Sequence, residues 1–336
     1  MVRAMQDEVV VVTGASGGIG RATVREFARH GARIGLLARN VEALEAAKRE
    51  VEGAGGKAIV LPTDVAHEEQ VEAAAGRVEQ EFGAIDIWIN NAMVSIFGPF
   101  TRLSAEEFRH ITEVTYLGQV WGTMAALKRM LPRDRGTIVQ VGSALAHRSI
   151  PLQAAYCGAK HAIVGFTESV RTELIHMKSH VHLTVVNLPG VNTTQFLWTR
   201  NKMPEKPKPV GTIFQPEVAA DAIYFAGHHK RKEMSVGWPT VEAINAEKFA
   251  SAAMDEYLAN AAWEGSLREE PSQPGKADNF WEPVPGDRGS HGPFDEEART
   301  FSLQTWASKN RGWLAVAGAA TAALAVSLAE RRRFWK

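Results

Sequence analysis

Four valines and a threonine, Val9-Val10-Val11-Val12-Thr13, run directly into Gly14-Ala15-Ser16-Gly17-Gly18-Ile19-Gly20. A short β-branched apolar run bounded by turn residues reads as a strand buried on both faces. The turn after it opens a helix over roughly 18–30, which stops at Gly31. Gly14 permits the tight turn, and the later glycines let backbone approach a pyrophosphate seated on the helix N-terminus. A glycine-rich turn alone says little. Placed between a first strand and a helix, it points to a nucleotide.

The same alternation continues along the chain. Strands are expected at Arg33–Ala38, Ala58–Leu61, Ile85–Ile89, Thr137–Val141 and His182–Asn187, with a short last one near Ser235–Trp238. Helices are expected over roughly 41–53, 67–82, 105–131 and 154–174; Ser104 caps the third and Pro132 ends it. Strands separated by helices of this length predict an α/β fold, a doubly wound parallel sheet with helices on both faces. Ligands bind beyond the carboxyl ends of such strands. Gly14, Asp64, Asn90, Ser143 and Pro189 all fall there. Three regions follow: a nucleotide-binding and catalytic domain over 1–263, an arm over 264–310 rich in proline and glycine, and an apolar helix with a basic tail over 311–336. Phe280, Trp281 and Phe294 suggest an arm pinned to a surface.

A chemical pair stands at one of these strand ends. Tyr156 and Lys160 lie one helical turn apart, and Ser143 precedes the tyrosine by thirteen residues. A free phenol ionises near pH ~10. An ammonium within reach lowers that value, giving a proton donor and acceptor beside a hydroxyl able to hold a substrate oxygen. His147 and Arg148 follow Ser143 closely enough to touch a substrate. Cys157 reads as a small buried thiol.

The end of the second strand bears on the cofactor. An acid there would bind a ribose 2′-hydroxyl, but the chain has Ala38-Arg39-Asn40. Arg39 is suited to a 2′-phosphate, with Ser16 nearby as a neutral donor, so NADP is expected over NAD. Balanced charge, 38 basic against 38 acidic residues, argues against nucleic acid. No cluster has metal-ligand spacing, so no metal is expected. The single cysteine and the short polar N-terminus predict a cytoplasmic protein, at most one at the cytoplasmic face of a membrane.

Taken in order, Gly14–Gly20, Asn90-Asn91-Ala92, Ser143, Tyr156, Lys160 and Pro189-Gly190 make the chain resemble the short-chain dehydrogenase/reductase family over about residues 5–240. The resemblance implies a Rossmann-type fold, hydride transfer between NAD(P)H and a carbonyl or alcohol, and a homodimer or homotetramer paired through the helices at 105–131 and 154–174. It casts Tyr156 as general acid/base. Lys160 holds the nicotinamide ribose and depresses the tyrosine pKa, and Ser143 binds the substrate oxygen. It places Thr13, Gly14, Ser16, Gly18, Ile19 and Gly20 around the cofactor phosphates, and Asp64 with Val65 at the adenine. Asn90, Asn91 and Ala92 line the adenosine side; Pro189, Gly190, Val191 and Thr193 hold the carboxamide. Two positions depart from the family pattern. Met93 stands where a glycine is usual, and Thr115 replaces the asparagine that supports proton relay to the lysine. A threonine hydroxyl is shorter but also donates and accepts.

Residues 194–214 carry Phe196, Leu197, Trp198, Met203 and Phe214 among several prolines, which suggests a flap over a hydrophobic carbonyl or alcohol substrate. Trp313–Ala329 is 17 residues without a charge, at the short limit for a membrane span of about 17–25. A span would carry Arg331, Arg332, Arg333 and Lys336 across, against the positive-inside tendency. A transmembrane helix, a helix lying on the membrane and one packed in an oligomer therefore stand as alternatives. The alternative to an active reductase is a catalytically weak or inactive nucleotide-binding scaffold with the same fold.

Overall fold

The computed structural model describes residues 7–273, 275–317 and 321. The valine run forms β1 (Val9–Thr13), buried along its whole length, and α1 (Gly18–Ala28) leaves it through the glycine turn. Gly14 sits at φ +69°, and a Cβ on Gly20 would overlap the Gly14 carbonyl, so the turn demands glycine at both positions. Then come β2 (Arg33–Ala38), α2 (Val41–Gly53), β3 (Lys57–Pro62), α3 (Glu68–Phe82) and β4 (Ile87–Asn90). The chain continues through α4 (Ala105–Ile111), α5 (Gly118–Met130), β5 (Thr137–Val141), α6 (Ala154–His176) and β6 (His182–Asn187). It ends in α7 (Pro216–His228), β7 (Glu233–Ser235), α8 (Trp238–Gly265) and α9 (Leu303–Lys309).

Seven parallel strands form one sheet in the order β7-β6-β5-β4-β1-β2-β3. The order reverses between β1 and β4, which opens the crevice where such sheets bind ligands. One face packs under α1, α2 and α7, the other under α3, α5 and α6, each with its own core cluster. This Rossmann-like doubly wound sheet is the architecture expected from the alternation.

The single helix expected over 105–131 is instead interrupted. A π-helical turn at Thr112–Leu117 separates α4 from α5. Such turns concentrate at functional positions, and this one carries Thr115. The sequence reading did not include α7, α8 or α9. The arm is ordered where described: Leu267–Pro271 pairs antiparallel with Glu205–Pro207, and Phe280 and Phe294 are fully buried. Among the described residues, no helix is long and apolar enough to cross a membrane. Most of the apolar run 313–329 and the basic tail lie outside the described residues.

Candidate active site

Tyr156 and Lys160 project from the first two turns of α6, next to the carboxyl end of β5. Ser143 follows that strand, and its Oγ accepts the Leu145 amide at 3.1 Å. The Ser143 hydroxyl stands close enough to the Tyr156 phenol to act on its ionisation. The Lys160 ammonium lies 5.6 Å from the centre of the Tyr156 ring and donates to the Val141 carbonyl at 2.7 Å. Lys160 is 2% exposed, and burial pulls its pKa down to about 7.

The expectation that the ammonium lowers the tyrosine pKa does not match this geometry. Tyr156 keeps part of its surface open, yet protein crowds it closely, and burial pushes the phenol up. The Ser143 hydroxyl works in the opposite direction and is the smaller influence. The Tyr156 hydroxyl therefore stays protonated at neutral pH, the state needed to give a proton. Cys157 is buried and its thiol is pushed up by burial, as expected of an inert packing residue.

The surrounding side chains set this corner in place. Thr115 is fully buried; its hydroxyl donates to the Val94 carbonyl at 2.9 Å and accepts the Val94 amide at 3.1 Å. Those bonds tie the π-helical turn to the loop after β4 and engage the threonine in both directions. Asn90, expected at the adenosine side, is instead turned into the core. Its amide donates to Gln140, Thr123 and the Gln119 carbonyl and accepts from the Trp88 indole. A buried amide with four partners is a structural post beneath the site. Asn91 does face the turn, donating to the Thr13 carbonyl at 2.9 Å, while the Asn91 and Ala92 amides share Thr13 Oγ1. Arg148 is drawn away from any substrate by Glu247 and Asp255, which fasten α8 to the Ser143 loop.

On the other side of the crevice, a cavity of about 110 Å³ is lined by Gly14, Ser16, Arg39, Asp64, Val65, Ala92 and Met93. The sequence-predicted adenosine positions and the departing Met93 thus meet in one place. Ile19 packs onto the core below the turn. Gly190 and Val191 pair with Ile213 and Phe214, and Thr193 bridges to His291. Thr193 also lies against Gly18, bringing the Pro189-Gly190 segment over the glycine turn.

The family model for short chain dehydrogenases matches residues 8–205. The chain belongs to this short-chain dehydrogenase family. Ser143, Tyr156 and Lys160 stand together at the end of β5, while Asn90 is turned into the core. The chain is 31% identical over 294 residues to the uncharacterized oxidoreductase YxnA of Bacillus subtilis, covering 86% of this chain and 83% of that protein. It is 40% identical over 174 residues to human dehydrogenase/reductase SDR family member 7, where the match spans 51% of either chain. A solved alcohol dehydrogenase from Thermococcus sibiricus, complexed with 5-hydroxy-NADP, superposes with a TM-score of 0.59 at 28% identity, over 68% of this chain and 95% of that one.

Within this short-chain dehydrogenase, the arm supplies walls that motif reading missed. Asn279, Pro283 and Val284 line the nucleotide-side cavity together with Trp198 of the flap. The buried aromatics of the arm hinted at docking, but nothing local in the sequence names the surface they dock on. The flap is more polar than its aromatics suggested. Its larger cavity, about 880 Å³, is lined by Arg102, Arg200 and Lys202 as well as Phe196 and Leu197, with Glu107 and Asp278 pairing Arg200 and Glu107 also pairing Lys202.

Proposed function

We propose that this chain is an NADP-dependent reductase of a carbonyl substrate, running the alcohol oxidation in reverse. The observation that carries the reading is the Ser143–Tyr156 hydroxyl pair with the Lys160 ammonium behind the ring. The cofactor site fits a phosphate-bearing dinucleotide: the turn has no room for a Cβ at Gly14 or Gly20, and Arg39 stands directly after β2 with Asn40, not a carboxylate, behind it. Thr13, Gly14, Ser16, Gly18, Ile19 and Gly20 would hold the phosphates, Arg39 the 2′-phosphate, Asp64, Val65, Asn91 and Ala92 the adenosine. Pro189, Gly190, Val191 and Thr193 would hold the nicotinamide amide. When bound, the nicotinamide supplies the hydride.

The chain's own groups then handle the proton and the orientation. Ser143 holds the carbonyl oxygen by donating to it. Tyr156, protonated because burial raises its pKa, gives that oxygen its proton. Lys160, its pKa pulled down to about 7 by burial, can pass a proton on near neutrality. Thr115 is a positioning residue that fixes the loop at Val94. Phe196, Leu197 and Trp198 of the flap favour a hydrophobic ketone or aldehyde. A panel of carbonyl compounds should consume NADPH with the wild-type protein and not with Tyr156→Phe. No consumption across the panel, with NADPH still bound, would favour the scaffold reading.

Two further parts belong to this proposal. The exposed face of α6 with Gly158 and Gly165, both open to solvent, is the surface for pairing with a second copy, checked by sedimentation velocity of wild type against Gly158→Gln. Exposed Phe301, Leu303, Trp306, Trp313 and Leu314 favour contact with the cytoplasmic face of a membrane. Equal recovery of the full chain and of a version ending at residue 310 from anionic vesicles would remove that part.

A further inference from the structure

We propose that the arm segment 278–289 is a built-in competitor for the cofactor's phosphate sites, so that NADPH binds only as this segment lifts away. The inference rests on the NADP reading above. Arg39 is the cation placed for a 2′-phosphate, yet its guanidinium already donates to three consecutive arm carbonyls. Nη2 reaches Asn279 O at 2.6 Å, and Nη1 reaches Trp281 O at 2.6 Å and Phe280 O at 3.4 Å. At the other end of the segment, the Gly18 amide of the phosphate turn donates to Gly289 O at 3.2 Å. Neutral carbonyl oxygens thus occupy donors at both places where anionic oxygens would bind.

Contacts between these ends hold the segment down. Asn40 donates to Val284 O and Gly286 O, Glu42 accepts the Gly286 amide, and Asp287 pairs with Arg21. Phe280 plugs the core beside His110, and Arg200 lies over its ring at 5.0 Å. What remains of the cavity is about 110 Å³. Sites for small ligands and cofactors usually measure roughly 300–1,000 Å³. The adenosine end therefore enters only where Pro283 and Val284 now stand.

Phosphate is the stronger partner for these donors. Charge-assisted bonds from guanidinium to phosphate are shorter and roughly twice as strong as those to neutral acceptors. The phosphate can therefore displace the arm, while the arm lowers the observed affinity by the fraction of molecules already open. The closed segment also shields the phosphate turn and Arg39 when the cofactor is scarce.

Limited trypsin digestion of the full chain tests this, with cleavage after Arg288 followed by mass spectrometry and NADPH binding followed in parallel by nicotinamide fluorescence. Cleavage at Arg288 should rise several-fold and saturate at the same NADPH concentration as binding. Asp287→Ala, which removes the tie to Arg21, should bind NADPH about threefold more tightly and cleave faster without cofactor. Protection of Arg288 by bound NADPH, or weaker binding by Asp287→Ala, would mean that the arm closes over the cofactor and would overturn the proposal. Unchanged cleavage while NADPH binds would overturn it as well. Absence of NADPH binding to wild type would instead remove the cofactor reading itself, and the competitor with it.

Discussion

The two ends of the crevice are built in different ways. The catalytic end comes from adjoining elements: Ser143 closes β5, Tyr156 and Lys160 open α6, and the lysine binds Val141 at the tip of the same strand. The phosphate end is made by the first 40 residues and then covered by a segment some 240 positions later in the chain, through bonds such as Arg39 to Trp281. One end is a fixed arrangement of buried groups. The other is, on the reading proposed above, an anion site with a removable occupant. The contrast teaches that chemistry and cofactor access are separable here, so a change at one end should leave the other nearly untouched.

The largest effect should come from breaking the catalytic end alone. Tyr156→Phe removes the proton donor, and a positioned acid/base contributes about 10²–10⁴-fold in rate. Turnover with any active carbonyl should fall by that range while the NADPH dissociation constant stays put. A shift in cofactor affinity of comparable size would show that the two ends are coupled after all.

Arg39→Gln probes the phosphate end and should be next in size. Hydrogen bonds to charged groups contribute about 1.5–3 kcal/mol, or roughly 10–100-fold in affinity. NADPH binding should weaken by that factor net of the gain from a looser arm, NADH binding should weaken far less, and cleavage at Arg288 should rise without any cofactor. Equal losses for both cofactors in a titration would show that Arg39 does not read the 2′-phosphate.

How far each end was legible in the sequence follows from the same contrast. Ser143, Tyr156 and Lys160 sit at fixed offsets within one strand–helix unit, so motif spacing was enough to bring them to one strand end. Asn90 read as a site residue because the family pattern places Asn90-Asn91-Ala92 together at the adenosine; a period-two strand sends adjacent side chains to opposite faces, and Asn90 turned inward to Gln140. The tyrosine pKa departs from the expectation because spacing reveals the nearby ammonium but not the burial that pushes the phenol up. Arg39 was marked by its place after β2, but its carbonyl partners were not. Backbone acceptors carry no residue signature, and only the buried aromatic Phe280 marked where the arm would dock.

Lys160 offers a test by pH. Its folded pKa of about 7 lies below the usual lysine value of 10.5, so between those limits the native state holds fewer protons than the unfolded chain. Wild-type stability should therefore gain a rising contribution as pH climbs through that window and none below it. In Lys160→Met the contribution is absent. Urea unfolding of both proteins at pH 6, 8 and 9.5 should show the variant losing ground relative to wild type as pH increases. Parallel curves would mean that the ammonium is better solvated than its 2% exposure implies.

The smallest change concerns the support between the two ends. Thr115→Val keeps the shape of the side chain but leaves the Val94 amide and carbonyl without their partner inside a buried turn. An unsatisfied buried polar group costs about 1–3 kcal/mol, so the midpoint of urea unfolding should fall accordingly. Because Thr115 bonds the loop that also carries Met93 and Ala92, turnover should drop a few-fold with little change in its pH profile. Thr115→Ser keeps the hydroxyl and should restore both. If Ser restores stability but not turnover, the threonine methyl, packed within the π-helical turn, is what positions the loop; if Val alters the pH profile, the hydroxyl belongs to the proton path itself.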